Sequence, residues 1–283
     1  MPHLSPALCW AALPLLALND PVRIESGSIS GATGGSAEVR VYKGIPYAKP
    51  PVGELRWKPP KPPASWRGVW RATQFSPVCE QVPYPKGSVY DRAFALAGIL
   101  PAGGAPQSMS EDCLYLNVWT AAKTATERRP VMVWIHGGGF EYGSGDPPMY
   151  GGEELAKKGV VFVSINYRLG LFGFFAHPEL TSESDHHSSG NYALLDQIAA
   201  LEWVRKNIAA FGGDPKRVTI FGESAGSWSV NFLMATPLAK GLFQRAIGES
   251  SAYFQSIRTL TEVERAGIKF AESNGGSVAA LRA

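Results

Sequence analysis

From residue 114 onward the chain alternates short apolar runs with longer amphipathic stretches. Leu114–Trp119, Val131–Ile135, Val160–Ile165 and Val218–Phe221 are apolar and partly β-branched, four to six residues each. Three of them lack a strict apolar–polar alternation, the pattern of strands buried on both faces. Between them lie helical stretches, the longest being Tyr192–Phe211. There Leu194, Ile198, Leu201, Val204, Ile208 and Phe211 recur every three or four residues and form one apolar face. Gly212 and Gly213 end that helix, and Asp214 with Pro215 starts the next connection. Strands alternating with helices of this length imply right-handed crossovers and a largely parallel sheet covered on both faces.

The first part of the chain reads differently. Val22–Glu25 and Glu38–Tyr42 have strand character and are separated by the turn-forming stretch 27–36. Prolines at 46, 50, 51, 59, 60, 62 and 63 then exclude regular helix. The pattern predicts one α/β domain over residues 21–283 with an antiparallel N-terminal edge, no internal repeat and no low-complexity linker. At the far end Ser277 reads as the cap of a short helix in which the sequence stops.

Composition narrows the classes. With 45% apolar and 18% charged residues the chain is not intrinsically disordered, and its 31 Gly and 22 Pro follow no collagen-like period. Charges of 27 Lys+Arg against 24 Asp+Glu leave +3, without a basic cluster that would make a nucleic-acid partner. No apolar run approaches the ~20 residues of a membrane span.

Residues 7–18 form a short apolar run where the core of a signal peptide would sit, so residues 1–20 are read as a signal peptide and the protein as secreted or periplasmic; without that leader it would be cytoplasmic. No Lys or Arg precedes the run. Removal of the leader would take Cys9 and leave the even pair Cys79 and Cys113, as suits an oxidising compartment. A bridge between them would close a loop rich in Pro, Gly and Ser and contribute roughly 3–4 kcal/mol. Spacing alone leaves two buried free thiols open.

Two motifs carry chemistry. Gly222-Glu223-Ser224-Ala225-Gly226 matches G-x-S-x-G, a weak pattern by itself in a glycine-rich chain. Its context raises it: it follows the strand Val218–Phe221 and precedes Ser227–Met234, which can continue as a helix. A strand–turn–helix corner forces a serine into strained dihedrals and presents its hydroxyl, while small neighbours relieve the crowding. The second motif, His136-Gly137-Gly138-Gly139-Phe140, follows the strand Val131–Ile135. Consecutive glycines let backbone N–H groups converge on one point, as acyl transfer requires where charge develops on a carbonyl oxygen. A phosphate-binding loop is excluded by the absence of G-x-G-x-x-G and of a G-K-[ST] ending. His136 reads as orienting this loop and not as a catalytic base.

With these residues in place the chain resembles the N-terminal half of a type-B carboxylesterase, the α/β-hydrolase family that includes cholinesterases and nitrobenzyl-type esterases. The matching segments are GIPYAKPPVGELRW at 44–57, EDCLYLNVW at 111–119, WIHGGGF at 134–140, NYRLGLFGF at 166–174 and the long stretch 196–226. The resemblance implies an α/β-hydrolase fold, truncated after the nucleophile elbow. It implies Ser224 as nucleophile and the amides of Gly138, Gly139 and Ala225 as the oxyanion hole. It implies a Cys79–Cys113 disulfide around the rim of the site, with Glu223, Glu249 and Ser250 in a polar layer behind the triad. No cofactor is implied, and the partner is a small-molecule ester. Ser251 departs from the family, which usually carries Gly there.

α/β-Hydrolases order their triad Ser, acid, His. All five histidines (His3, His136, His177, His186, His187) precede Ser224. The chain is therefore expected to lack the catalytic acid and base and to be nearly inactive alone, with an open sheet edge that lowers its solubility. Glu262, Glu264 and Glu272 read as solvated positions of a polar helix. The adjacent His186 and His187 cannot readily share one metal, so no metal site is assigned. Phe140, Tyr142 and Trp228 are candidates for the pocket wall. A non-catalytic, cholinesterase-like binding or adhesion module is the rival reading, opposed by the retention of Ser224 and the full glycine loop.

Overall fold

The computed structural model describes residues 20–82, 87, 92, 95, 96, 108–146, 148–251 and 258–283. The apolar run 7–18, Cys9 and most of the loop between the two remaining cysteines lie outside the described residues.

Among the described residues ten strands form two sheets. Strands β1 (Val22–Ile24) and β2 (Gly27–Ser30) make an antiparallel hairpin, and β5 (Val69–Arg71) adds to β2 in parallel. The larger sheet has seven strands: β3 (Ala32–Thr33), β4 (Arg40–Pro46), β6 (Tyr115–Thr120), β7 (Arg129–Ile135), β8 (Val161–Ile165), β9 (Gly213–Glu223) and β10 (Arg245–Glu249). Their spatial order is β10-β9-β7-β8-β6-β4-β3. The four strands from β10 to β8 are parallel, and β6, β4 and β3 pair antiparallel in succession. The expected parallel sheet with an antiparallel N-terminal edge is this one.

Period-two geometry explains why its strands read as unbroken apolar runs. On β7 and β8, Val131, Val133, Ile135, Val161, Val163 and Ile165 point into the main core. Trp134 and Phe162 point to the opposite face, where Val39, Val41, Trp119, Ala156 and Phe221 form a second core. Both faces are covered, so both parities are largely apolar, and the buried exceptions Asn117 and Ser164 bond to each other at 3.1 Å. The long helix, Tyr192–Asn207, lays Ala200, Leu201 and Val204 on the main core and continues as a 3-10 turn over Ile208–Phe211. The apolar periodicity runs through both segments, which is why the sequence reads them as one helix. Gly212 ends the turn with a left-handed φ of 79°. β9 begins at Gly213, before the Pro215 connection expected there, because Gly213 pairs with Arg129 across a register shift.

The C-terminal segments dock on the body. The helix Leu260–Ser273 starts with a capping box between Thr259 and Glu262. Its Glu264, expected to be solvated, is half-buried and accepts a 2.6 Å hydrogen bond from the Thr181 hydroxyl. Ser277 caps the helix Val278–Arg282 as its sequence implied, accepting from the Ala280 N–H. Arg282 forms a two-pronged pair with Glu183 at 2.8 and 2.9 Å, and this pairing holds the Glu183 carboxyl below its usual pKa.

Candidate active site

The elbow follows from β9 ending against β7. Ser224 sits between β9 and the helix Ala225–Ala235 with φ 52° and ψ −119°, a conformation that L-residues rarely adopt. Its N–H donates to the Glu249 carbonyl, and its own carbonyl accepts the first helical bond, from Trp228, at 3.0 Å. The flanking glycines are required by contact. A Cβ on Gly226 would lie 2.0 Å from the Ile135 carbonyl oxygen, and one on Gly222 would lie 2.6 Å from the same atom. The helix N-terminus thus packs directly on the end of β7, and Ala225 is its first residue, fully buried.

The glycine loop continues from that same end of β7. A Cβ on Gly137 would meet the Glu223 carbonyl at 2.6 Å and the Ser224 Cβ at 3.2 Å, so the loop lies against the elbow. Gly138 and Gly139 have φ of 104° and 65°; a Cβ on Gly138 would strike the Tyr142 carbonyl, whereas Gly139 faces open space. His136 lies underneath, with 1% of its surface exposed. Its Nδ1 is 2.8 Å from the Gly137 carbonyl, its ring stacks on Tyr167 at 4.3 Å, and the Tyr167 hydroxyl donates to the His136 carbonyl. Burial pushes its pKa down to about 4, so the ring is neutral at physiological pH.

Behind Ser224, β9 and β10 bring Glu223 and Glu249 into register as cross-strand partners. Burial and then the Glu249 charge raise the Glu223 pKa, against a hydrogen bond from Ser250. Ser250 takes a left-handed φ of 58°, and Ser251, the departure from the family pattern, has a concrete role. Its carbonyl accepts from the Ser227 hydroxyl and its hydroxyl from the Trp228 indole N–H. Of the candidate wall residues, Phe140 and Trp228 face each other at 5.9 Å and line a cleft of about 980 Å³ that reaches Trp57, Leu195 and His186. Tyr142 supports Gly138 instead.

Cys79 and Cys113 are bonded, with Cα atoms 4.9 Å apart. The bridge brings Gln81 to the site: its side chain accepts from the Gly143 N–H at 2.8 Å and donates to the Gly143 carbonyl at 3.1 Å, clamping the exit of the glycine loop. Nothing local in the sequence marks Gln81, because its partner is 62 residues away. A second unanticipated feature is the buried pair Arg168–Asp196, doubly bonded at 2.7 Å, with Arg168 also donating to the Lys58 carbonyl. Burial opposes the guanidinium charge, and the charge and hydrogen bonds of Asp196 more than offset it, so the Arg168 pKa is raised. Opposite charges inside two otherwise apolar segments, 166–174 and the buried face of 192–207, were the available signal.

A mostly parallel sheet, a serine at a strained strand–helix corner and a glycine loop packed against it define an α/β-hydrolase. The chain belongs to the carboxylesterase family, whose model matches residues 19–279. It is 43% identical over 286 residues to the fumonisin B1 esterase of Sphingopyxis macrogoltabida, covering 98% of this chain and 49% of that protein. It is 48% identical over 246 residues to the para-nitrobenzyl esterase of Bacillus subtilis, covering 87% and 45%. Among solved structures, the carboxylesterase EST55 of Geobacillus stearothermophilus superposes with a TM-score of 0.76 at 42% identity, over 91% of this chain and 50% of that one. The chain thus spans about half the length of the relatives it matches. Among the described residues no helix is long and apolar enough to cross a membrane.

Proposed function

We propose that the chain carries the nucleophile half of a serine hydrolase acting on small-molecule carboxylic esters. The observation that carries this reading is Ser224, held at φ 52° between β9 and a helix N-terminus with the glycine loop in contact. Ser224 Oγ attacks the ester carbonyl, and the tetrahedral oxyanion receives hydrogen bonds from the N–H groups of Gly138, Gly139 and Ala225. The positive end of the helix dipole adds to that stabilisation. Collapse expels the alcohol and leaves an acyl-enzyme on Ser224, which water then cleaves to release the acid and restore the hydroxyl. Glu223, Glu249 and Ser250 form the polar layer that holds the elbow in place, and the cleft bounded by Phe140 and Trp228 receives the substrate.

The proton on Ser224 needs a base. Among the described histidines, His136 is committed to the glycine loop and Tyr167, His177 caps the helix Pro178–Glu183, and His186 and His187 lie exposed in the loop after that helix, His186 at the cleft's far wall. No base for Ser224 is assigned within these 283 residues; where a triad member is missing, roughly 10³–10⁴-fold catalysis over water remains, and that is the turnover expected of the 283 residues assayed by themselves. The Cys79–Cys113 bridge, together with the apolar run at 7–18, supports a secreted or periplasmic protein whose leader is removed.

The test is covalent labelling with a fluorophosphonate probe, read by peptide mass mapping, with short-chain nitrophenyl ester hydrolysis in parallel. Slow modification confined to Ser224 and lost in Ser224→Ala is expected. Labelling elsewhere, or none even with the remainder of a full-length relative supplied, sinks the hydrolase reading and favours a binding module.

A further inference from the structure

We propose that Gln81 is a positioning residue for the oxyanion hole: by holding both backbone groups of Gly143 it fixes the peptide planes that aim the N–H groups of Gly138 and Gly139. This role deepens the reading of Ser224 as a nucleophile and rests on it.

The contacts begin at the disulfide. Cys79 is bonded to Cys113, two residues before β6, and Gln81 Nε2 donates to the Cys79 carbonyl at 2.9 Å. The Gln81 amide is thereby anchored beside the bridge. The same amide meets Gly143, which is buried: Oε1 accepts from the Gly143 N–H at 2.8 Å and Nε2 donates to the Gly143 carbonyl at 3.1 Å. A trans peptide keeps its C=O and N–H in one rigid plane, pointing opposite ways. Holding the Gly143 N–H therefore also fixes the Tyr142 carbonyl.

That segment lies against both donor planes of the glycine loop. The Tyr142 carbonyl packs on Gly138, where a Cβ would strike it. The N–H groups of Glu141 and Tyr142 donate to the Gly138 carbonyl at 3.0 and 3.2 Å. With that carbonyl drawn into the turn, the Gly139 N–H of the same peptide plane is aimed away from it. The Gly138 N–H shares its plane with the Gly137 carbonyl, which lies 2.8 Å from His136 Nδ1. Gly143 packs on this pair, since a Cβ there would come 2.5 Å from His136 Nδ1 and 2.7 Å from the Gly137 oxygen. Both donor planes thus rest on Gly143, and Gln81 is the side chain that holds it.

An amide suits this position because it offers an acceptor and a donor side by side. A carboxylate would set a second oxygen against the Gly143 and Cys79 carbonyls. A protonated carboxyl again has one acceptor and one donor, and a methionine of similar length offers neither.

Hydrogen exchange read by mass spectrometry and the rate of fluorophosphonate labelling at Ser224 test this on the 283-residue chain. In Gln81→Met the amides of residues 137–143 should exchange about tenfold faster, with the helix Tyr192–Asn207 unchanged. The maximal labelling rate should fall about tenfold or more at an unchanged half-saturating probe concentration, because the donors act on charge that develops in the transition state. Gln81→Glu should show both defects at about pH 8 and, relative to the wild type at the same pH, lose them toward about pH 5 as the carboxyl takes up its proton. A side chain that only fills space gives no such recovery, and this variant decides the matter if Gln81→Met fails to fold. Unchanged exchange in the loop, faster exchange spread evenly over β7 and the long helix, or a Gln81→Glu defect that is the same at every pH overturns the proposal. A wild-type chain that is not labelled at Ser224 sinks the hydrolase reading instead, and the exchange of residues 137–143 still decides whether Gln81 holds the loop.

Discussion

Replacing Asp196 by Asn tests how the segment after β8 and the long helix are held together. Asp196 is fully buried, accepts from Arg168 Nε and Nη2 at 2.7 Å each, and also accepts from the Arg168 N–H at 3.1 Å. The amide has nearly the same volume, so no cavity opens, but it presents an N–H₂ to the guanidinium and removes the compensating charge. Arg168, 2% exposed, keeps the Lys58 carbonyl and one neutral amide oxygen as acceptors, with no negative charge to balance its own. Stranding one partner of a buried pair costs about 3–5 kcal/mol. An unfolding entropy of about 2.1 cal/mol/K per residue gives about 0.6 kcal/mol/K for this chain, so the melting temperature should fall by about 5–8 °C. Thermal denaturation followed by circular dichroism at pH 7 reads this directly. The double variant Arg168→Met/Asp196→Leu removes both charges and should recover most of the loss. A fall below about 2 °C in Asp196→Asn, or a double variant no better than the single one, would refute the reasoning.

Two further outcomes are expected. His136 is buried neutral with its pKa lowered from 6.5 to about 4, so the unfolded chain takes up a proton across that interval before the folded one does. Its contribution is therefore complete above pH 6.5 and lost as the pH falls to about 4, a total of about 3 kcal/mol at 1.36 kcal/mol per pH unit. His136→Gln should flatten the acid limb of stability against pH, and an unchanged limb would exclude His136 as its source. Gly226→Ala places a methyl 2.0 Å from the Ile135 carbonyl oxygen, which forces the elbow helix away from β7. It should lower stability by about 1–3 kcal/mol and suppress fluorophosphonate labelling of Ser224, whereas Gly139→Ala, which meets no atom within 4 Å and strains only its own φ of 65°, should retain more of the labelling.

Local pattern was enough for several parts of this molecule. The runs at 114–119, 131–135, 160–165 and 218–221 announced strands buried on both faces, because a sheet with a core on either side admits polar residues only where they are paired, as Asn117 and Ser164 are. G-x-S-x-G after a strand announced the elbow, because a serine at that corner tolerates only small neighbours, and the contacts of Gly222 and Gly226 are the physical form of that rule. Ser277 announced a helix start through the hydrogen bond its hydroxyl makes three residues on.

What the sequence could not determine lies in partners distant along the chain. Gln81 clamps Gly143, Asp196 neutralises Arg168, Thr181 donates to the half-buried Glu264, and Ser251 holds the Trp228 indole. Apart from the charges of Arg168 and Asp196 inside apolar segments, none of these has a local signature, since each side chain would serve equally well in water. Only the closing of the sheet brings the two halves of each pair within hydrogen-bond reach and excludes the water that would compete. Tertiary structure likewise decided that the 3-10 turn at 208–211 ends the long helix and that β9 begins at Gly213. Backbone hydrogen bonding to β7 sets those boundaries, while hydrophobic spacing passes through them unchanged.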